Sequence, residues 1–248
     1  MRNPRLSRLI PVLCVLAACK AEPDEVLPGA PKPVAPKKAG QPAPPCNAGT
    51  DPLLTEAFTD NFDRTELGAD WLSTSYGAYA IRGGRVCTQK PRNHPLWLKK
   101  RLPANARVEF DATPLSPDGD VKVELFGDGC AFDVDGKNYM ATAYVAVLGA
   151  HKNAEHWLAR MDEHGPEAKQ TPLLAGTGSI ANGKLVPNQT YHFELARTDG
   201  RTVSFKVDGT LVHEMVDDKP LSGNGHDHFA FNGWDAAVCF DKVTITPL

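Results

Sequence analysis

Beyond residue 77 apolar and polar side chains alternate along most of the chain. Val108, Phe110 and Ala112 interleave with Arg107, Glu109 and Asp111, and Val121, Val123 and Leu125 interleave with Lys122, Glu124 and Phe126. A period of two sends alternate side chains to opposite faces, so each segment predicts a strand with one greasy side. Tyr191, Phe193 and Leu195 alternate with His192 and Glu194, while Val203, Phe205 and Val207 lead through an Asp208-Gly209 turn into a return strand, Thr210 to Met215. Ala78–Arg82 and Arg85–Thr88 flank Gly83-Gly84, which supply the positive φ of a tight hairpin turn. Ala237 to Thr246 reads as the last strand, and residues 139–148, apolar on both faces, read as a strand inside a packed sheet. No window of helical period is long enough to pack. The expected fold is therefore all-β, a two-sheet antiparallel β-sandwich.

The N-terminal region breaks this pattern. Arg2, Arg5 and Arg8 precede the apolar run Leu9 to Leu16, which ends in Ala17-Ala18-Cys19. A basic start before an apolar stretch too short to span a bilayer is the layout of an export signal. Small residues directly before Cys19 resemble the lipobox of bacterial lipoproteins. That resemblance implies a diacylated Cys19, removal of residues 1–18, and acylation of the new N-terminus, an attachment to the membrane that three acyl chains make effectively permanent. Lys20 stands where an aspartate favours retention at the inner membrane, so the resemblance implies an exported, outer-membrane lipoprotein. Pro23, Pro28, Pro31, Pro33, Pro36, Pro42, Pro44 and Pro45 follow, with alanines and lysines between them. Such a stretch forms no core and favours an extended tether of up to about 80 Å. The chain thus divides into a signal (1–18), a lipidated Cys and Pro/Ala/Lys-rich linker (19–57) and a β-sandwich (58–248).

Without the three leader arginines, 24 basic side chains face 30 acidic ones. The longest basic run, Lys99-Lys100-Arg101, is three residues. Both facts argue against nucleic acid as a partner. Cys46, Cys87, Cys130 and Cys239 remain after export, an even number in an oxidising compartment, and predict two disulfides whose pairing spacing does not choose. They lie too far apart for close zinc-ligand pairs.

The segments FTDNFDRTELGADW and GAYAIRGGRV, with HFELARTDGRTVSFKVDGTLVHEM and FAFNGWDAAVCFDKVTI, resemble concanavalin A-like lectin/glucanase (laminin G-like jelly-roll) domains over about residues 58 to 248. The resemblance implies a jelly roll. Laminarinase-like hydrolases of that superfamily carry a catalytic ExDxxE strand, whose nearest counterpart is Glu109-Phe110-Asp111-Ala112-Thr113-Pro114. The last carboxylate is missing, so that machinery does not carry over.

Candidate chemistry comes from the residues themselves. If the apolar alternates face the core, one sheet surface gathers Arg107, Glu109, Asp111, Lys122, Glu124, Arg160, Asp162, His192 and Glu194. Such a surface is either the wet side of a sheet with charges paired across strands, or a binding face. Glu124, Asp162 and His164 are the candidate acid–base residues of a polysaccharide hydrolase or lyase. Trp157, Arg160, Asp162, His164, His226, His228 and Trp234 would form a lectin-like ligand site if their loops meet at one rim, and His226 and His228 with a carboxylate could instead hold zinc. Asp118, Asp120, Asp128, Asp133 and Asp135 sit beside glycines, as structural Ca2+ sites or simply as turns. GxSxG, phosphate-loop, dinucleotide and HExxH motifs do not occur. The leading expectation is a protein that binds carbohydrate or another envelope polymer. A polysaccharide-degrading enzyme and a purely structural envelope protein are the alternatives.

Overall fold

The computed structural model describes residues 48–75, 77–134, 136, 139–166, 168, 171–223 and 225–248. The signal, Cys19, the proline-rich tether, Cys46 and Asp135 lie outside the described residues. In chain order the strands are β1 (Phe58–Asp60), β2 (Trp71–Ser73), β3 (Tyr79–Arg82), β4 (Arg85–Thr88), β5 (Leu96–Leu98), β6 (Ala106–Pro114), β7 (Val121–Gly127), β8 (Tyr144–Gly149), β9 (Glu155–Arg160), β10 (Thr171–Pro172), β11 (Tyr191–Arg197), β12 (Thr202–Val207), β13 (Thr210–Val216), β14 (His228–Asn232) and β15 (Val238–Pro247).

They form two antiparallel sheets. One has eight strands, ordered β13-β12-β11-β6-β15-β4-β3 with β1 added on β15. The other has seven, ordered β10-β9-β8-β7-β14-β5-β2. The alternation in β6 and β11 aims Val108, Phe110, Phe193 and Leu195 inward, and all four are 0–1% exposed. Phe110 stacks on Phe193 at 5.2 Å and meets Phe231 of the opposite sheet edge-on at 5.4 Å, while Phe231 stacks on Phe240 at 4.1 Å. These rings join the two layers. Aromatic pairs in such offset and edge-on geometries add about 0.5–1.5 kcal/mol each beyond the area they bury.

Cys87 and Cys239 face each other on β4 and β15 and are disulfide-bonded, and Cys130 is disulfide-bonded as well. Residues 52–54 run beside Arg101, where Leu54 donates its N–H to the Arg101 carbonyl at 2.8 Å.

Two expectations need correction. The strand read over 139–148 begins only at Tyr144, and Tyr139 and Ala141 instead cover the outer face of the seven-stranded sheet. The charged residues expected on one surface are divided between the two sheets. Arg107, Glu109, Asp111, His192 and Glu194 belong to β6 and β11 of the eight-stranded sheet, whereas Lys122, Glu124 and Arg160 belong to β7 and β9 of the other. Alternation fixes the face of a strand but not the sheet that the strand joins. On the eight-stranded sheet the charges pair across strands: His192 Nδ1 lies 3.0 Å from Asp111, Lys242 Nζ 2.9 Å from Asp111, and Lys206 Nζ 2.8 Å from Glu194. That surface is a solvated lattice of ion pairs.

Candidate functional site

The outward side chains of the seven-stranded sheet fall into rows set by register. Trp157, Val147, Lys122 and Asn232 form one row across β9, β8, β7 and β14, and Ala159, Val145, Glu124 and Ala230 form the next. The β9 and β8 side of this face is apolar, with Val145, Val147, Ala150, Trp157 and Ala159 packed together. The β7 and β14 side is polar and nevertheless buried, since Lys122, Glu124 and Asn232 are 0–3% exposed.

A buried polar group costs free energy unless it is paired, and here the pairs are identifiable. Lys122 Nζ donates to Asn93 Oδ1 at 2.7 Å and to Glu163 Oε1 at 2.6 Å. Its ammonium lies 5.8 Å from the centre of the Tyr139 ring. Tyr139 donates its hydroxyl to Glu124 Oε1 at 2.7 Å, and Asn232 Nδ2 donates to the same oxygen at 2.6 Å. Glu124 Oε2 has no hydrogen-bond partner among the described residues. Burial pushes the Glu124 carboxyl up to about 7, against the opposing effects of the Tyr139 and Asn232 hydrogen bonds and the Lys122 charge.

Above this face opens a cleft of about 1040 Å3. Lys122, Tyr139 and Trp157 line its base, and three loops wall it. The first is the turn after β8. His151, Lys152 and Asn153 have φ of 50°, 62° and 63°, a left-handed turn that costs L-residues roughly 1–2 kcal/mol apiece. Asn153 pins it, accepting from Leu185 N–H at 2.9 Å and donating to Pro117 O at 3.1 Å and Leu185 O at 2.8 Å. Gly119 packs against this turn so closely that a Cβ there would lie 2.6 Å from the Gly149 carbonyl. His151 and Lys152 are thereby presented to the cleft. The second loop carries Asp162, Glu163 and His164. Asp162 Oδ1 accepts the His164 N–H at 3.0 Å, and the His151 and His164 rings lie nearly parallel, 6.4 Å apart, both beside Trp157. The third carries Trp234, whose N–H donates to Asp120 Oδ2 at 2.8 Å and whose ring faces the Arg92 guanidinium at 4.8 Å. Burial raises the Asp120 carboxyl, and the nearby Lys122 charge and the Trp234 N–H oppose that rise.

The structure therefore brings together Trp157, Asp162, His164, Trp234, Asp118, Asp120 and Asp133 of the expected residues. Trp157 is 2% exposed, a wall and not an open stacking face, and its indole N–H is buried without an acceptor. Trp234, 39% exposed, offers the open ring. Glu124 is fully buried and reaches the cleft only through Tyr139 and Lys122.

The remaining expected residues lie elsewhere. Arg160 faces the edge of the sandwich, where its Nε donates to Asp217 Oδ2 of the opposite sheet's flank at 2.8 Å. His226 Nδ1 is 2.7 Å from the Thr142 carbonyl. His228, 1% exposed, lies 2.7 Å from Asp227 and 3.4 Å from Asp51, at the other end of β14 from Trp234. Asp128 Oδ1 caps a turn by accepting the N–H groups of Cys130 and Ala131, and Asp133 Oδ1 accepts that of Gly136. Among the described residues no group of three or more His, Cys, Asp or Glu side chains is placed to hold a metal ion. Sequence reasoning did not single out Asn93 or Tyr139. The only available hint was that Lys122 and Glu124, in a strand buried on both sides, need partners.

No family model and no curated protein matches the sequence. Solved structures do match the fold. The carbohydrate recognition domain of Emp47p aligns with 77% of this chain and 95% of its own at 13% identity, TM-score 0.52. A structure described with endo-acting O-glycanases that members of the human gut microbiota express to initiate mucin breakdown aligns with 77% of this chain and 98% of its own at 12% identity, TM-score 0.51. The carbohydrate-binding module CBM66 from Bacillus subtilis covers 73% of this chain and 98% of its own at 18% identity, TM-score 0.48. The chain is a jelly-roll β-sandwich.

Proposed function

We propose that this is a lipid-anchored envelope protein that binds carbohydrate in the cleft over its seven-stranded sheet. The observation that carries the reading is an exposed ring, Trp234, in an open cleft lined by carboxylates, histidines and lysines. Sugars present apolar C–H faces to rings and hydroxyls to such polar groups, the mix that ligand clefts supply. The sandwich architecture, shared with carbohydrate-recognition domains, supports the same reading. Binding of the full chain to a glycan array, lost in Trp234→Ala, tests it.

The anchor part of the proposal rests on the leader and Ala17-Ala18-Cys19. It places the protein on the outer membrane, with the proline-rich stretch as spacer. Mass spectrometry of the cell-derived protein tests it: an acylated N-terminal Cys19 is expected, and an unmodified one removes the anchor.

A second reading, a polysaccharide hydrolase or lyase, is favoured by Glu124 alone. A carboxyl held near 7 is suited to proton transfer, which from this buried position runs to the cleft through the Tyr139 hydroxyl bonded to it. Polysaccharide cleavage that disappears in folded Glu124→Gln would put this reading first.

A further inference from the structure

We infer that the cleft accepts saccharides that are neutral or carry amines and turns away those bearing carboxylates or sulfates. The inference rests on the carbohydrate reading and adds the charge class of the ligand. Among the described residues the cleft is lined by six carboxylates, those of Asp118, Asp120, Asp133, Asp162, Glu163 and Asp235, against three lysines. Two of those lysines are already engaged: Lys122 with Glu163 at 2.6 Å and Lys90 with Asp235 at 3.5 Å. An anionic sugar needs a guanidinium or ammonium to meet it, and of the three lysines Lys122 is buried in its internal pair, which leaves the carboxylates in excess.

The carboxylates are held differently. Asp120 accepts the backbone N–H of Trp234, and Asp162 accepts that of His164. The neutral donor on Asp162 orients its carboxylate without cancelling its charge, whereas burial opposes the charge on Asp120 and the Lys122 charge favours it. Asp118 is exposed at the rim. A concave site with an excess of one sign of charge focuses its field on whatever enters, repelling anions and concentrating cations. A second observation is the Trp234 ring, 39% exposed on the cleft wall, which takes the apolar C–H face of an uncharged sugar.

The test is an array of neutral, amine-bearing, uronate and sulfated oligosaccharides probed with the full chain, followed by titration of the hits. The expected result is hits confined to neutral and amine-bearing glycans, with uronate and sulfated ones of equal length at least tenfold weaker. Binding of amine-bearing hits should weaken as salt rises, because the attraction is screened. Asp118→Asn with Asp162→Asn should narrow the tenfold gap, and Asp118→Asn alone serves if the double variant does not fold. A uronate or sulfated glycan binding as tightly as the best neutral one overturns the inference and leaves the carbohydrate reading standing. An array with no hits at all overturns both.

Discussion

Tyr139 donates its hydroxyl to Glu124 Oε1 at 2.7 Å from a loop that crosses the outer face of the seven-stranded sheet, which ties that loop to the buried polar row beneath. The other carboxylate oxygen is buried and unpartnered among the described residues, and the carboxyl is pushed up from 4.5 to about 7. Between those pH values the folded protein keeps a proton that the unfolded chain has shed. The stabilisation is complete below pH 4.5 and is lost as pH rises toward 7. Glu124→Gln removes this dependence. Relative to the variant, wild type should lose on the order of 1–3 kcal/mol between pH 4.5 and 7.5, read from urea unfolding. Parallel stability curves for the two proteins would show that Glu124 ionises normally.

Lys122 is 3% exposed and tied to Glu163 and Asn93. Removing one partner of a buried ion pair costs about 3–5 kcal/mol, more than the pair itself contributes. Lys122→Met should fall in that range, and adding Glu163→Gln should return part of the loss. A Lys122→Met protein within 1 kcal/mol of wild type would mean that the pair is solvated, in the way about 0–1 kcal/mol surface pairs are.

At the far edge of the sandwich, His156 Nδ1 and His213 Nε2 lie 2.7 Å apart and connect β9 to β13. One nitrogen must be neutral to accept. Burial and then the neighbouring His156 push His213 down to about 4, and burial lowers His156 too. A histidine with a depressed folded value loses stability as pH falls from 6.5 toward 4, since only the unfolded chain takes up the proton. His213→Gln should flatten that limb by roughly 1–3 kcal/mol while leaving stability above pH 7 less changed. An unchanged acid limb would exclude the pair as its cause.

The Cys87–Cys239 bond spans 152 residues and joins two neighbouring strands. Replacing both with alanine should cost roughly 2–5 kcal/mol by releasing the unfolded chain. Equal melting of oxidised wild type and the double variant would contradict this.

Much of the sandwich could be read from alternation, because Val108, Phe110, Phe193 and Phe205 repeat at the period that a half-buried strand demands. The assignment of strands to sheets could not. β6 and β7 are consecutive and similarly patterned, yet they join different sheets, and this separated Glu109 and Asp111 from Lys122 and Glu124. The cleft was half legible. Trp157, His164 and Trp234 stood out as clustered aromatic and histidine residues. The turn that presents His151 depends on three consecutive left-handed residues, and although His151 and Asn153 are of types enriched in that conformation, Lys152 is not. His226 and His228 looked equivalent to His151 and His164 in sequence. They lie at the opposite end of β14 from Trp234, a distance that a five-residue strand creates and local spacing does not reveal.

The claim on which the account turns is that ligand sits against Trp234 in this cleft. Isothermal titration of an array-selected glycan into wild type, Trp234→Ala and the distant surface variant Leu211→Ala measures it directly. The account predicts at least about tenfold weaker binding for Trp234→Ala, a loss of about 1.4 kcal/mol, and no change for Leu211→Ala. Equal affinity of all three proteins would contradict it.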